Sequence, residues 1–364
     1  MIESNRIFPP SKYIKDALKE RGWTQADLAF VLGRSPSEIS FLLIGRKRMS
    51  PELAQELAVV LGNTADHWLG LDNAYSLSQT SYVDEAVIRR SRIFSFPIKE
   101  MRKRKWITET TKLDEMEDEF KRFFGVDSLA EDLSVTASYR RTIKESSLNN
   151  AEKAWIARAK QLAKVCPAEQ FDDSNLANLA IGLRRLAAKS QAVHRVPALL
   201  SKYGIRFVVV EPLPRVQIDG AAFWLDDRSP VIAMSIRFDN IGSFWFTLMH
   251  EFFHIKEKDA FSFDDLQSSP VDDAEIRASR KAADILVPEE KLETFIRTHS
   301  PRYSEARINY LATQLEIHPG IIVGQLQHRK EIGYSMHRPL MTKVRELTTA
   351  VAFTDGWGHP VPQV

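Results

Sequence analysis

Two histidines four residues apart, with a glutamate directly after the first, form the stretch His250-Glu251-Phe252-Phe253-His254. A helix turns about 100° per residue, so His250 and His254 stand one above the other on one face, where two imidazoles can grip a single ion. This HExxH arrangement binds Zn²⁺ through both histidines and uses the glutamate, here Glu251, as general base for a water held by the metal. Such a site takes a third protein donor and leaves its fourth position open. Glu275 is the candidate third ligand, because the small residues Ala278 and Ala282 follow it at helical spacing and let that face approach another helix. Asp272 and Asp273 are alternatives, with a competing role in favouring a helix N-terminus through its dipole.

These donors need a rigid support. Trp245, Leu248, Phe252 and Ile255 fall together on the face opposite the histidines, which predicts a helix anchored in a core. Two histidines and a glutamate on an apolar helix would cost roughly 1–3 kcal/mol each if left unpaired, and a metal removes that cost. Upstream, β-branched and apolar runs at 204–210, 221–225 and 231–235 predict three strands, the last two joined as a hairpin through 227–230. A small sheet packed on the helix could take a peptide substrate as an added strand. Downstream, helices are expected at 304–315 and 320–330, and the Gly- and Pro-rich stretch 354–364 as a loose tail. His318, His328 and His337 are candidates for further ligands or, with Tyr310 and Tyr334, for a donor to the oxyanion, but each histidine stands singly, as surface or core histidines do.

The front of the chain is a series of short helices. Residues 12–21 carry Ile14, Ala17 and Leu18 on one face and stop at Gly22; Thr24 caps a second helix ending at Gly33. Ser35 caps a third, with Pro36 at its first position and Ile39, Leu42 and Leu43 inward; Ser50-Pro51 opens a fourth and Thr64 a fifth around Trp68. The tight turn between the second and third suits a helix-turn-helix, whose second member enters the major groove. The competing expectation is a helical protein-interaction module, since acids in this region nearly balance the basic residues. Between this domain and the strands, the chain reads as helical. Its basic runs at 89–92 and 102–105 are expected as solvated faces, with a second DNA contact as the sharper alternative.

Two resemblances follow from these residues. Thr24-Gln25-x-x-Leu28-Ala29, Gly33-x-Ser35, Ile39-Ser40 and Gly45 resemble the phage-repressor (XRE) helix-turn-helix family, and the loop from Gly45 to Pro51 is similar to its HigA-type antitoxin branch. That resemblance implies binding to an operator in double-stranded DNA. Gln25, Arg46, Lys47 and Arg48 would hold phosphates, and Pro36, Ser37, Glu38 and Phe41 would face base edges. Glu38 would either accept from a cytosine amino group or sit in the first helical turn, where acids are favoured. Phe-Trp-Phe-Thr-Leu before the HExxH, Glu275-x-x-Ala278, and the run ending Ile285-Leu286-Val287-Pro288 resemble the ImmA/IrrE metallopeptidases. In that family two histidines and a later glutamate hold zinc, which here implies His250, His254 and Glu275, with Glu251 as catalytic base. Ser279 and Lys281 depart from the family, which usually has Asn and Phe there. Phe123-Phe124-Gly125-Val126, Tyr139-Arg140 and Trp155 resemble the helical spacer of fused proteins of this type.

The 364 residues suffice for two or three cores, and 44% hydrophobic with 27% charged residues exclude disorder. No apolar run spans a membrane and no secretory signal opens the chain, so a cytoplasmic location is expected. The single cysteine, Cys166, is expected as a small buried hydrophobe. A net charge of +2 leaves any DNA binding to local patches. The expected fold is mostly α with a small β-sheet (α+β). Its parts are a five-helix domain at 1–72, a helical spacer at 73–190, a zincin-like metallopeptidase domain at 191–335 and a tail at 336–364. The expected function is an antitoxin-like DNA-binding regulator carrying a zinc-dependent endopeptidase that cuts a protein such as a repressor or toxin. The alternative is a regulator whose zinc fold senses a ligand or binds a partner and cuts nothing. Helix-turn-helix geometry adds the expectation of a homodimer.

Overall fold

A computed structural model describes residues 7–80, 83–129, 148–258 and 271–358, the side chains of 271–273 excepted. The chain divides into two compact units, 1–88 and 89–364. The first holds α1 (Pro10–Arg21), α2 (Gln25–Val31), α3 (Pro36–Leu43), α4 (Pro51–Leu61) and α5 (Ala65–Gln79). Each expected cap is in place: the side chains of Thr24, Ser35, Ser50 and Thr64 accept from the backbone N–H groups of Asp27, Glu38, Leu53 and His67. Ile14, Leu28, Ile39, Leu43, Leu57 and Trp68 form the core. The boundary expected at 72 falls inside α5. No breaker stands between Leu71 and Gln79, and Asp72 is held in place by Arg48 at 2.6 Å.

The division between the units falls inside α6 (Glu85–Phe94). There follow α7 (Ile98–Lys103), α8 (Leu113–Phe124), α9 (Asn150–Val165), α10 (Leu176–Leu186) and α11 (Val196–Lys202). Then come β1 (Arg206–Val210), β2 (Gly220–Trp224) and β3 (Pro230–Met234). The chain continues through α12 (Ile241–Glu257), α13 (Val271–Leu286), α14 (Glu289–His299), α15 (Glu305–Gln314), α16 (Pro319–His328), α17 (Arg345–Thr349) and β4 (Phe353–Asp355). The strands form one mixed sheet in the order β2-β3-β1-β4. β1 is parallel to both β3 and β4, and β2 is antiparallel to β3 as the expected hairpin. Mostly helical with one small sheet, the fold is α+β.

Side chains alternate across a strand, and here both faces are covered, which explains the unbroken apolar runs. Phe207, Val209, Ala222, Trp224, Ile232 and Met234 join the core shared with α10 to α16. Val208, Val210, Ala221, Phe223, Val231 and Ala233 join the core shared with α6 to α9. Within the stretch expected as a helical spacer at 73–190, α6 to α9 supply the cover for one sheet face and α10 packs on the other; the Trp155 indole N–H also donates to Val210 O at 2.9 Å. The loose tail expected at 354–364 does not begin as one, since its first residues belong to a strand. β4 pairs with β1, and the buried Asp355 carboxylate accepts from Trp106 Nε1 at 2.8 Å and from the buried Arg158 guanidinium. A buried arginine requires an anionic partner, and this one comes from far along the chain.

The basic runs are partly spent inside the fold: Arg89 pairs with Glu117 and Asp114, and Arg104 donates to the carbonyls of Glu211 and Pro212. Cys166 is buried, which pushes its thiol pKa up. Tyr139 and Arg140 lie outside the described residues. No helix among the described residues is long and apolar enough to cross a membrane.

Candidate functional site

Asn240 opens α12, its side chain accepting from Ser243 N at 2.9 Å, and Trp245, Leu248, Phe252 and Ile255 lock the helix into the core with no exposed surface. α16 crosses α12 where Gly242 and Gly324 meet; a Cβ on Gly242 would stand 2.7 Å from Gly320 O, so only glycine permits this approach. α13 lies along α12 on the histidine side, with Ala278 and Ala282 buried in the contact and Gln325 Nε2 donating to Ala283 O at 2.8 Å. The small residues after Glu275 thus let the carboxylate reach the histidines.

The three donors converge. His250 Nε2 and His254 Nε2 are 3.0 Å apart, Glu275 Oε2 is 3.1 Å from the first and Oε1 3.7 Å from the second. A tetrahedral ion with zinc-to-nitrogen bonds near 2.0–2.1 Å sets its ligands about 3.3 Å apart. The separations therefore suit zinc, and these residues are the group among those described whose donors are close enough to share an ion. Ser279, one helical turn beyond Glu275, places Oγ 3.1 Å from His250 Nδ1. When that Nδ1–H donates to Ser279, Nε2 keeps its lone pair towards the other donors.

Glu251 is 3% exposed and its Oε2 has no hydrogen-bond partner among the described residues. It lies against β2: a Cβ at Gly220 would sit 2.9 Å from Glu251 Oε1 and 2.7 Å from Thr247 Cγ2, which is why the strand begins with glycine. Burial pushes the Glu251 carboxyl up to about 7, opposed by His250 and the Ala222 N–H and aided by the charges of Glu275 and Asp219. Glu275 moves the other way: burial raises its pKa, but the adjacent imidazoles of His250 and His254 outweigh that and hold it below the usual carboxylate range.

The side chains of Asp272 and Asp273 lie outside the described residues. The late histidines stand apart from the cluster. His318 caps α16 by accepting from Gly320 N at 3.1 Å, His337 lies 3.9 Å from Glu305, and the ring of exposed His328 lies tilted against Phe246. Tyr310 and Tyr334 are exposed.

In the first unit, α2 and α3 are joined through residues 32–35, and α3 buries Ile39, Leu42 and Leu43. The helix-turn-helix family (HTH_3) matches residues 14–68. An "Uncharacterized HTH-type transcriptional regulator YddM" of Escherichia coli (strain K12) is 35% identical over 82 residues, which are 22% of this chain and 87% of that protein. The chain belongs to the helix-turn-helix family.

The helix-turn-helix unit, a binder of double-stranded DNA by family, leaves Gln25, Pro36, Ser37, Phe41 and Arg46 exposed. The other three residues expected at DNA have partners within the unit. Glu38 closes a capping box with Ser35 and pairs with Lys47 at 2.7 Å and Arg34 at 3.7 Å; Lys47 and the Ser35 N–H hold its carboxyl below the usual range. Arg48 donates to Asp72 and Asn73. Composition hides such pairs, because they depend on which surfaces the five helices bring together. Ser279 was equally hidden: its sole signal is its place four residues after Glu275.

Proposed function

We propose that the chain is a DNA-binding transcriptional regulator whose second unit is a zinc-dependent endopeptidase, in line with its resemblance to the ImmA/IrrE metallopeptidases. One observation carries the reading: three donors at tetrahedral separations, with a buried, unpartnered carboxylate oxygen on the residue between the two histidines. His250, His254 and Glu275 would hold the ion, which when bound polarises a peptide carbonyl and acidifies water. Glu251 takes a proton from the attacking water at Oε2 and delivers it to the leaving amide nitrogen. β2, the edge strand beside Glu251, offers its outer edge to an extended segment of the substrate. The substrate is a protein, such as a repressor or toxin, whose loss would alter transcription.

Elemental analysis of purified protein should give one zinc per chain, and Glu275→Ala, left with two donors, should fall short of that. Full occupancy in Glu275→Ala would sink the site. Ser279→Ala should weaken zinc about 10–100-fold in chelator competition, with Ser279→Thr restoring it, because the hydroxyl orients His250. On DNA, Arg46→Ala should lower the slope of log affinity against log salt by about one. Arg48→Ala should leave that slope unchanged, its guanidinium being engaged by Asp72.

A further inference from the structure

We propose that the helix-turn-helix unit reads thymine through its C5-methyl group, using Phe41 and Ile44, and that Glu38 reads no base. This rests on the unit's binding double-stranded DNA. On α3, Ile39, Leu42 and Leu43 are 1%, 4% and 2% exposed and define the inner face. Ser37, Phe41 and Ile44 follow at i, i+4 and i+7, so they form one stripe on the opposite side, the side a recognition helix turns to the groove. Phe41 is 46% exposed and Ile44 58%, both large apolar side chains for which the unit provides no cover. In the major groove the one apolar feature of a base pair is the thymine methyl.

Glu38 lies at the flank of this stripe. Its carboxylate receives the Ser35 N–H at 3.3 Å and the Lys47 ammonium at 2.7 Å, with the Arg34 guanidinium 3.7 Å away. Accepting from a cytosine amino group would mean giving up the capping box and the ion pair together. Ser37 is the polar member of the stripe, so the exposed face carries no charge with which to select guanine or cytosine. An uncharged face with two bulky apolar groups therefore favours a site rich in thymine.

The full chain would be used to select duplexes from a random-sequence pool, and the enriched duplex resynthesised with dU in place of dT. Deoxyuridine differs from thymidine only by the methyl group. Affinity should fall about fourfold for each contacted methyl removed, the value of burying one such group. Phe41→Ala together with Ile44→Ala should bind the dT and dU duplexes alike, and Glu38→Gln should keep the wild-type dT-to-dU ratio and base preference. Both apolar positions are on the surface, so their loss leaves the core intact. Equal wild-type affinity for the two duplexes overturns the proposal while leaving DNA binding in place. So does a changed base preference in Glu38→Gln, or a double variant that loses self-association yet keeps the dT-to-dU ratio. If no duplex is enriched even at low salt, the DNA-binding reading falls with it.

Discussion

Glu251→Gln should cut the rate of substrate cleavage by about 10²–10⁴ while leaving zinc content and DNA affinity at wild-type levels. The substitution keeps the size of the side chain, so the packing against Gly220 and Thr247 on which α12 and β2 depend is retained. It also leaves His250, His254 and Glu275 untouched. What it removes is the ability of Oε2 to accept a proton. The comparison is best made in cells, following the fragments of co-expressed proteins and the level of the regulated transcript. Identical fragments and identical transcription in wild type and variant would show that the second unit senses or binds rather than cuts.

The same substitution should make the metal-free protein more stable. Folding raises the Glu251 pKa from an ordinary 4.5 to about 7, chiefly by burial. The folded chain therefore binds this proton more tightly than the unfolded chain does. Its contribution is fully present below about pH 4.5 and is lost as pH rises through about 7, where the buried carboxylate must ionise. A shift of that size corresponds to about 3 kcal/mol. Glutamine has no such titration, so urea unfolding after chelation should show a Glu251→Gln advantage of about 3 kcal/mol at pH 8 that nearly vanishes at pH 4.5. Saturating zinc should shrink the advantage, because a neighbouring cation favours the ionised carboxylate. A difference that did not vary with pH would mean that the stability effect comes from packing and not from the proton. One side chain would then be seen to weaken the fold and to perform the chemistry, a common exchange at active sites.

The sequence carries structure legibly where the physics is local. The caps at Thr24, Ser35, Ser50 and Thr64 act within three residues, the strands β1 to β3 follow from runs of apolar residues, and His250 and His254 meet because of the helical repeat. Glu275 was legible through the alanines that follow it. What stayed hidden depends on distant partners. β4 lies in a stretch whose glycines and prolines suggest a loop, and its place is fixed by Arg158 and Trp106 from the other end of the unit. The helices α6 to α9 read as part of a spacer in the sequence, yet their apolar faces meet Val208, Val210 and Phe223. Lys47 and Arg48, expected at phosphates, are engaged by Glu38 and Asp72, a pairing set by how α3 and α5 pack.

The position of β4 bears on the order in which the chain can assemble during synthesis. The apolar core of the helix-turn-helix unit is drawn from residues 14–71, so it can form once residue 71 has left the ribosome. β1, by contrast, must wait for residues 353–355 before its second neighbour arrives, and Arg158 stays without its carboxylate until then. A nascent chain can therefore fold its helix-turn-helix unit well before the sheet beside His250, His254 and Glu275 is complete.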